Sequence, residues 1–164
     1  MKNTLPVLKK EDFSVDGYLS ESVRKKDDIL GYDLYDFKEH QNIPFIRMEG
    51  LPGWQRIGPF FFLPGSLDIA MQIIRRSAKT DLCVVDEVGP LELEGQGVWP
   101  ALEEILASPQ TDLLLVIRNS VLEDFLIRID RDDIQIFSIE QKDIRIQLAT
   151  RLLSEIFRRK GPRK

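Results

Sequence analysis

Two adjacent carboxylates, Asp86 and Glu87, close the apolar run 82–85, and a Gly-Pro pair and a third acid, Glu92, follow. An apolar strand that ends in Asp is one way to hold magnesium beside a nucleotide. The hard cation takes oxygen ligands and keeps several waters, so one or two carboxylates suffice. Glu87 leaves the backbone on the opposite side and, near a bound phosphate, could orient or deprotonate an attacking water. Gly89 permits a tight turn after them, and Glu92 could orient that loop. The same spacing also suits acids that merely cap a loop or helix in solvent. The residues alone leave both readings open.

Few other side chains offer chemistry. His40 is the single histidine and Cys83 the single thiol, which excludes a zinc site built from such ligands. No Ser-His-Asp arrangement is credible with His40 in a polar, turn-like stretch. Cys83 lies in an apolar run and reads as core. Arg118 and Asn119 follow a second apolar run, 112–117, where Arg118 suits a phosphate contact or an ordinary ion pair. Arg24 opens a charged turn, 24–28, and reads as a nucleotide contact or a solvated side chain.

The elements that must position these residues follow from periodicity. Residues 15–23 and 29–37 read as two strands joined by the charged turn, a hairpin, and 41–48 as a third strand whose Pro44 marks an edge. Residues 50–54 form a loop and 57–63 a strand. Ser66 caps a helix over 66–78, with Leu67, Ala70, Met71, Ile74 and Ala78 on one face. Runs 82–86 and 112–118 are continuously apolar, as in strands covered on both sides of a parallel sheet. Helices are expected over 98–108 and 121–129, a further strand over 134–139, and a closing helix over 142–159 with Leu148, Leu152 and Ile156 as its stripe. The alternation from residue 57 onward predicts an α/β fold with a mainly parallel sheet flanked by helices. Ligands bind beyond the carboxyl ends of such strands, where Asp86, Glu87, Arg118 and Asn119 fall.

Composition bounds the rest. The chain has 164 residues, 43% hydrophobic and 30% charged, with net charge −4. That is enough core for one domain, expected over 14–159 between a flexible end (1–13) and a basic tail (160–164). The acidic balance argues against nucleic acid and acidic membranes as partners. Residues 151–164 hold six basic residues against one acid, which suits a dipole-matched helix end better than a nucleic-acid surface. A lone cysteine, no leader-like apolar stretch and no run long enough to span a bilayer predict a cytoplasmic protein.

The stretch 84–106, with Asp86, Glu87, Gly89 and Glu92 in order, resembles the acidic strand of the thermophile-type nucleoside-triphosphatase family, a branch of the P-loop NTPases. Residues 16–37 resemble the family's paired Gly-aromatic strands, and 57–70 the strand and helix that follow. The resemblance spans roughly residues 14–130. It implies a three-layer nucleotide-binding α/β fold, Mg²⁺ held through water at Asp86, Glu87 as the residue that activates water, and hydrolysis of nucleoside triphosphates. In related folds a residue placed like Arg118 or Asn119 senses the γ-phosphate.

One family feature is missing from these residues. A phosphate loop reads G-x-x-x-x-G-K-[ST]; its amides cradle the phosphates and its lysine reaches the β and γ groups. None of the ten glycines here precedes a lysine. The family carries the loop on a first strand ahead of the Gly-aromatic strand, and residues 1–14 do not supply it. The resemblance therefore implies a degenerate NTPase-like domain without its first strand and phosphate loop. Such a domain binds nucleoside triphosphate weakly, needs a second copy or a partner chain to complete its sheet, or serves as a non-catalytic interaction or regulatory subunit.

Overall fold

The computed structural model describes residues 13–108, 110–139, 147, 148, 150–152, 154 and 155. The hairpin forms as expected: β1 (Val15–Lys25) and β2 (Asp28–Asp36) pair antiparallel, with Lys26 left-handed in the turn. β3 (Gln41–Arg47) continues the meander. It is flanked by β2 and, at Ile46 and Arg47 only, by a short outer strand. At Pro44 the outer side of β3 therefore has no strand partner among the described residues, as an edge position requires. Pro44 also sits beside a register irregularity between Tyr32 and Asp33 of β2.

Residues 57–63 are not one strand. Gly58 takes φ +59 and with Pro59 folds the segment into a tight hairpin, β4 (Gln55–Ile57) and β5 (Phe60–Phe62). The next helix, α1 (Ser66–Ser77), is capped by left-handed Gly65 and not by Ser66, whose hydroxyl donates to the Phe45 carbonyl at 3.1 Å. Beyond α1 the chain makes β6 (Leu82–Val88), the single-turn α2 (Pro90–Leu93), α3 (Trp99–Leu106), β7 (Asp112–Ile117), a 3₁₀ turn at Asn119–Val121, and α4 (Leu122–Ile129).

All seven strands join one curled sheet in the order β4-β5-β3-β2-β1-β6-β7. Parallel pairing is confined to β1, β6 and β7, so the carboxyl ends of these three strands share one rim. The main core lies between one sheet face and α1, α3 and α4, with Ile74, Val85, Leu102 and Phe125 fully covered. A smaller cluster of Phe13, Leu19, Phe37, Leu82 and Val84 covers the other face. Phe13 is therefore core and not part of a flexible end. Cys83 is fully buried, and burial pushes its thiol up to about 12.

Two strand expectations fail for one reason. β6 is buried, but β7 is only half-buried along its whole length. Residues 134–139, despite their alternating pattern, form no strand. A strand exists only through its hydrogen-bonded neighbour, and among the described residues β7 pairs with β6 alone. A trough separates β7 from 134–139. Of the expected closing helix, residues 147, 148, 150–152, 154 and 155 are helical, with Leu148 buried. Its other residues, like 1–12 and the tail 160–164, lie outside the described residues. Among the described residues no helix is long and apolar enough to cross a membrane.

Candidate functional site

The rim of the parallel strands brings three of the sequence candidates together. Asp86 pairs in register with Val116 and Val88 with Ile117, so Glu87 is skipped by the β6–β7 ladder. The Asp86–Glu87 peptide is cis. The Arg118 amide donates to the Val88 carbonyl at 3.2 Å, which anchors the end of β7 beside the skip. From there the Arg118 guanidinium forms an ion pair with Glu87. Asn119 comes next, as the exposed first residue of the 3₁₀ turn.

Asp86 stands apart from that pair. Burial, reinforced by the neighbouring Glu87 charge, pushes its carboxyl up to about 6, although a backbone hydrogen bond from Ser20 opposes the rise. Among the described residues no three His, Cys, Asp or Glu side chains form a metal cage. A water-rich magnesium site needs only one or two carboxylates. Asp86 is half-buried, and a carboxylate made costly by that burial fits such an ion, which would offset the desolvation that raises its pKa.

Glu92 fastens the loop that follows. It is buried, and its two carboxylate oxygens accept from the amides of Gly89 (2.9 Å) and Val98 (3.3 Å). Burial raises its pKa, against those two amides. The turn expected at Gly89 lies elsewhere. Gly89 is extended, and a side chain there would meet only ordinary contacts. Gly95 and Gly97, at φ +75 and +60, make the turn instead. Arg24 is not brought onto the acids; its Nε donates to Ser22 Oγ at 3.1 Å at the exposed end of β1.

Sequence reasoning missed the groups behind Asp86. Tyr18 and Ser20 on β1 reach it through the β1–β6 pairing, and the Tyr18 phenol is held well above its usual value by burial and then by Glu92, with Asp86 adding to it. The only signal was that β1 is apolar enough to lie next to β6.

A mixed sheet flanked by helices, with an acidic strand end at its parallel rim, makes the chain an α/β domain of the kind whose ligands lie beyond the strands' carboxyl ends. The family described as NTPase matches residues 1–153, and the chain belongs to it. The nucleoside-triphosphatase THEP1 of Methanopyrus kandleri is 29% identical over 155 residues, covering 92% of this chain and 83% of the relative. A cancer-related nucleoside-triphosphatase homologue of Bos taurus is 27% identical over 152 residues, covering 84% of this chain and 78% of that one. The solution structure of a human cancer-related nucleoside triphosphatase superimposes with a TM-score of 0.70 at 25% identity, over 99% of this chain and 90% of that one. The crystal structure of THEP1 from Aquifex aeolicus gives the same TM-score at 15% identity, over 94% and 91%, and supports the fold alone.

Proposed function

We propose that this chain is a nucleoside-triphosphatase-like domain that keeps the metal-holding and water-orienting acids but does not, on its own, hydrolyse nucleoside triphosphates. The observation that carries the reading is a rim where Asp86 and Glu87 stand side by side, within 164 residues that contain no glycine-lysine pair. In phosphoryl transfer, positioning and charge neutralisation supply nearly all the catalysis. Among the described residues Arg118 is the side chain that pairs with these acids, and it is engaged with Glu87.

Asp86 would hold Mg²⁺ through water, and the ion would supply charge neutralisation at the β and γ phosphates. Glu87 is the group placed to take a proton from an attacking water. The Arg118 guanidinium meets one of its carboxylate oxygens, Oε1, so the proton would go to the other, Oε2. Glu92 keeps the loop after β6 in place, and Asn119 and Arg118 would be the side chains to meet a γ-phosphate.

A second reading is a non-catalytic interaction or regulatory subunit on the same fold. The half-buried apolar edge of β7 favours it. Calorimetry with Mg²⁺ and either ATP or GTP separates the two. Binding at about micromolar Kd, some −8 kcal/mol, supports a residual nucleotide site. No heat, together with self-association, supports the interaction role.

A further inference from the structure

Glu92 closes its loop with a carboxylate, although a neutral acceptor would satisfy an amide as well. It stands in the single-turn α2, and its Oε2 takes the Gly89 amide as the return half of a capping box. Its Oε1 takes the Val98 amide, so one buried side chain ties both ends of residues 89–98. The fit is close: a Cβ at Gly97 would lie 2.3 Å from that Oε1. A buried charge is costly unless it is both hydrogen-bonded and paired, and two amides supply only the hydrogen bonds.

The pairing lies across Gly89. A Cβ there would sit 3.8 Å from both Cδ and Nε of Arg118 and 3.9 Å from Oε2 of Glu92. The Arg118 stem therefore passes over Gly89, with the Glu92 carboxylate beside the same residue. The Arg118 backbone is fixed next to it, through its amide on the Val88 carbonyl. The guanidinium is held above its usual value first by Glu87 and further by Tyr32 and Glu92. Its Nε and Nη2 both meet Oε1 of Glu87.

We infer that Glu92 is a positioning residue for the Arg118–Glu87 pair: it fixes Gly89 as the seat of the Arg118 stem and so directs the guanidinium to Oε1 of Glu87, leaving Oε2 open to a water. Loop closure alone does not need the Glu92 charge. Arg128 of α4 fastens the same loop from outside, donating to the Leu93 carbonyl at 2.7 Å and lying 3.9 Å over the Trp99 ring. The inference deepens the proposed function, because the acid it positions is the one that would take the proton. It rests on that reading for its consequence only.

The test uses the whole chain, uniformly isotope-labelled, in nuclear magnetic resonance without nucleotide or metal. The wild type should show an Overhauser cross-peak between the Gly89 α protons and the Arg118 δ protons, and an Arg118 Nε–H that exchanges slowly. Glu87→Gln should keep the cross-peak, because the seat is independent of the pair, and speed the Nε–H exchange at least about tenfold. Glu92→Gln keeps the side chain's shape and one acceptor without the charge. It should cut the cross-peak below about half and speed the Nε–H exchange at least about tenfold, with the amides of residues 83–85 still protected. A cross-peak of wild-type intensity in Glu92→Gln, even beside faster exchange at the Gly89 and Val98 amides, reduces Glu92 to a loop fastener and overturns the inference. Loss of the cross-peak in Glu87→Gln overturns it as well, and decides the matter even where Glu92→Gln unfolds. No arm contains nucleotide or metal, so a failure here is separate from a failure of the hydrolase reading.

Discussion

Arg118 and Glu87 show how little an exposed ion pair adds to stability and how much it decides about chemistry. Their side chains are 50% and 35% exposed, so solvent screens most of the attraction. Arg118→Ala should change the unfolding free energy by less than about 1 kcal/mol in urea. Glu92 is the opposite case. Glu92→Ala strands the buried amides of Gly89 and Val98 and should cost about 2–3 kcal/mol in the same measurement. The acids were legible in the sequence because an apolar run ended on them. The pairing of Arg118 with Glu87 was not, because it depends on the ladder skipping one residue. Nor was the exact turn: a Gly-Pro pair drew attention to Gly89, while the left-handed positions are Gly95 and Gly97.

Among the elements, β6 is the one the sequence describes best, since four consecutive apolar residues buried on both faces leave a pattern that needs no neighbour to be read. Its contact with β1 is tighter than any pattern suggests. Gly17 sits at φ +115, and a Cβ there would lie 2.0 Å from the Val84 carbonyl oxygen. Gly17→Ala should therefore cost about 3 kcal/mol or more and lower the thermal midpoint markedly. Residues 57–63 and 134–139 were misread for different reasons. In the first, a Gly-Pro turn splits a run that hydrophobicity alone joins. In the second, the alternation is real, but strand formation depends on a partner that the pattern cannot supply.

At the scale of the molecule, one buried cluster ties helix to sheet. Arg76 of α1 donates to Asp16 on β1 at 2.9 Å and also pairs with Asp36 on β2. The two carboxylates are 3% and 1% exposed. Residues 16, 36 and 76 are too far apart in sequence for any spacing rule to join them. Arg76→Ala would leave two buried carboxylates without a counter-charge and should cost about 3–5 kcal/mol. Burial alone would raise the Asp36 carboxyl, but Arg76 and the amides of Glu39 and Lys38 outweigh it and hold it below its usual 3.8. A depressed carboxyl contributes stability that is complete above the unfolded value and is lost as pH falls through the folded one. Urea midpoints of the wild type should thus fall below about pH 4, and Asp36→Asn should flatten that fall. The same scale holds the central claim, that the rim can grip a metal but not the triphosphate. Phosphate release from ATP and GTP with Mg²⁺, by the wild-type chain and by Glu87→Gln, tests it most directly. The account predicts equal, background release from both proteins; sustained turnover by the wild type that Glu87→Gln abolishes would contradict it.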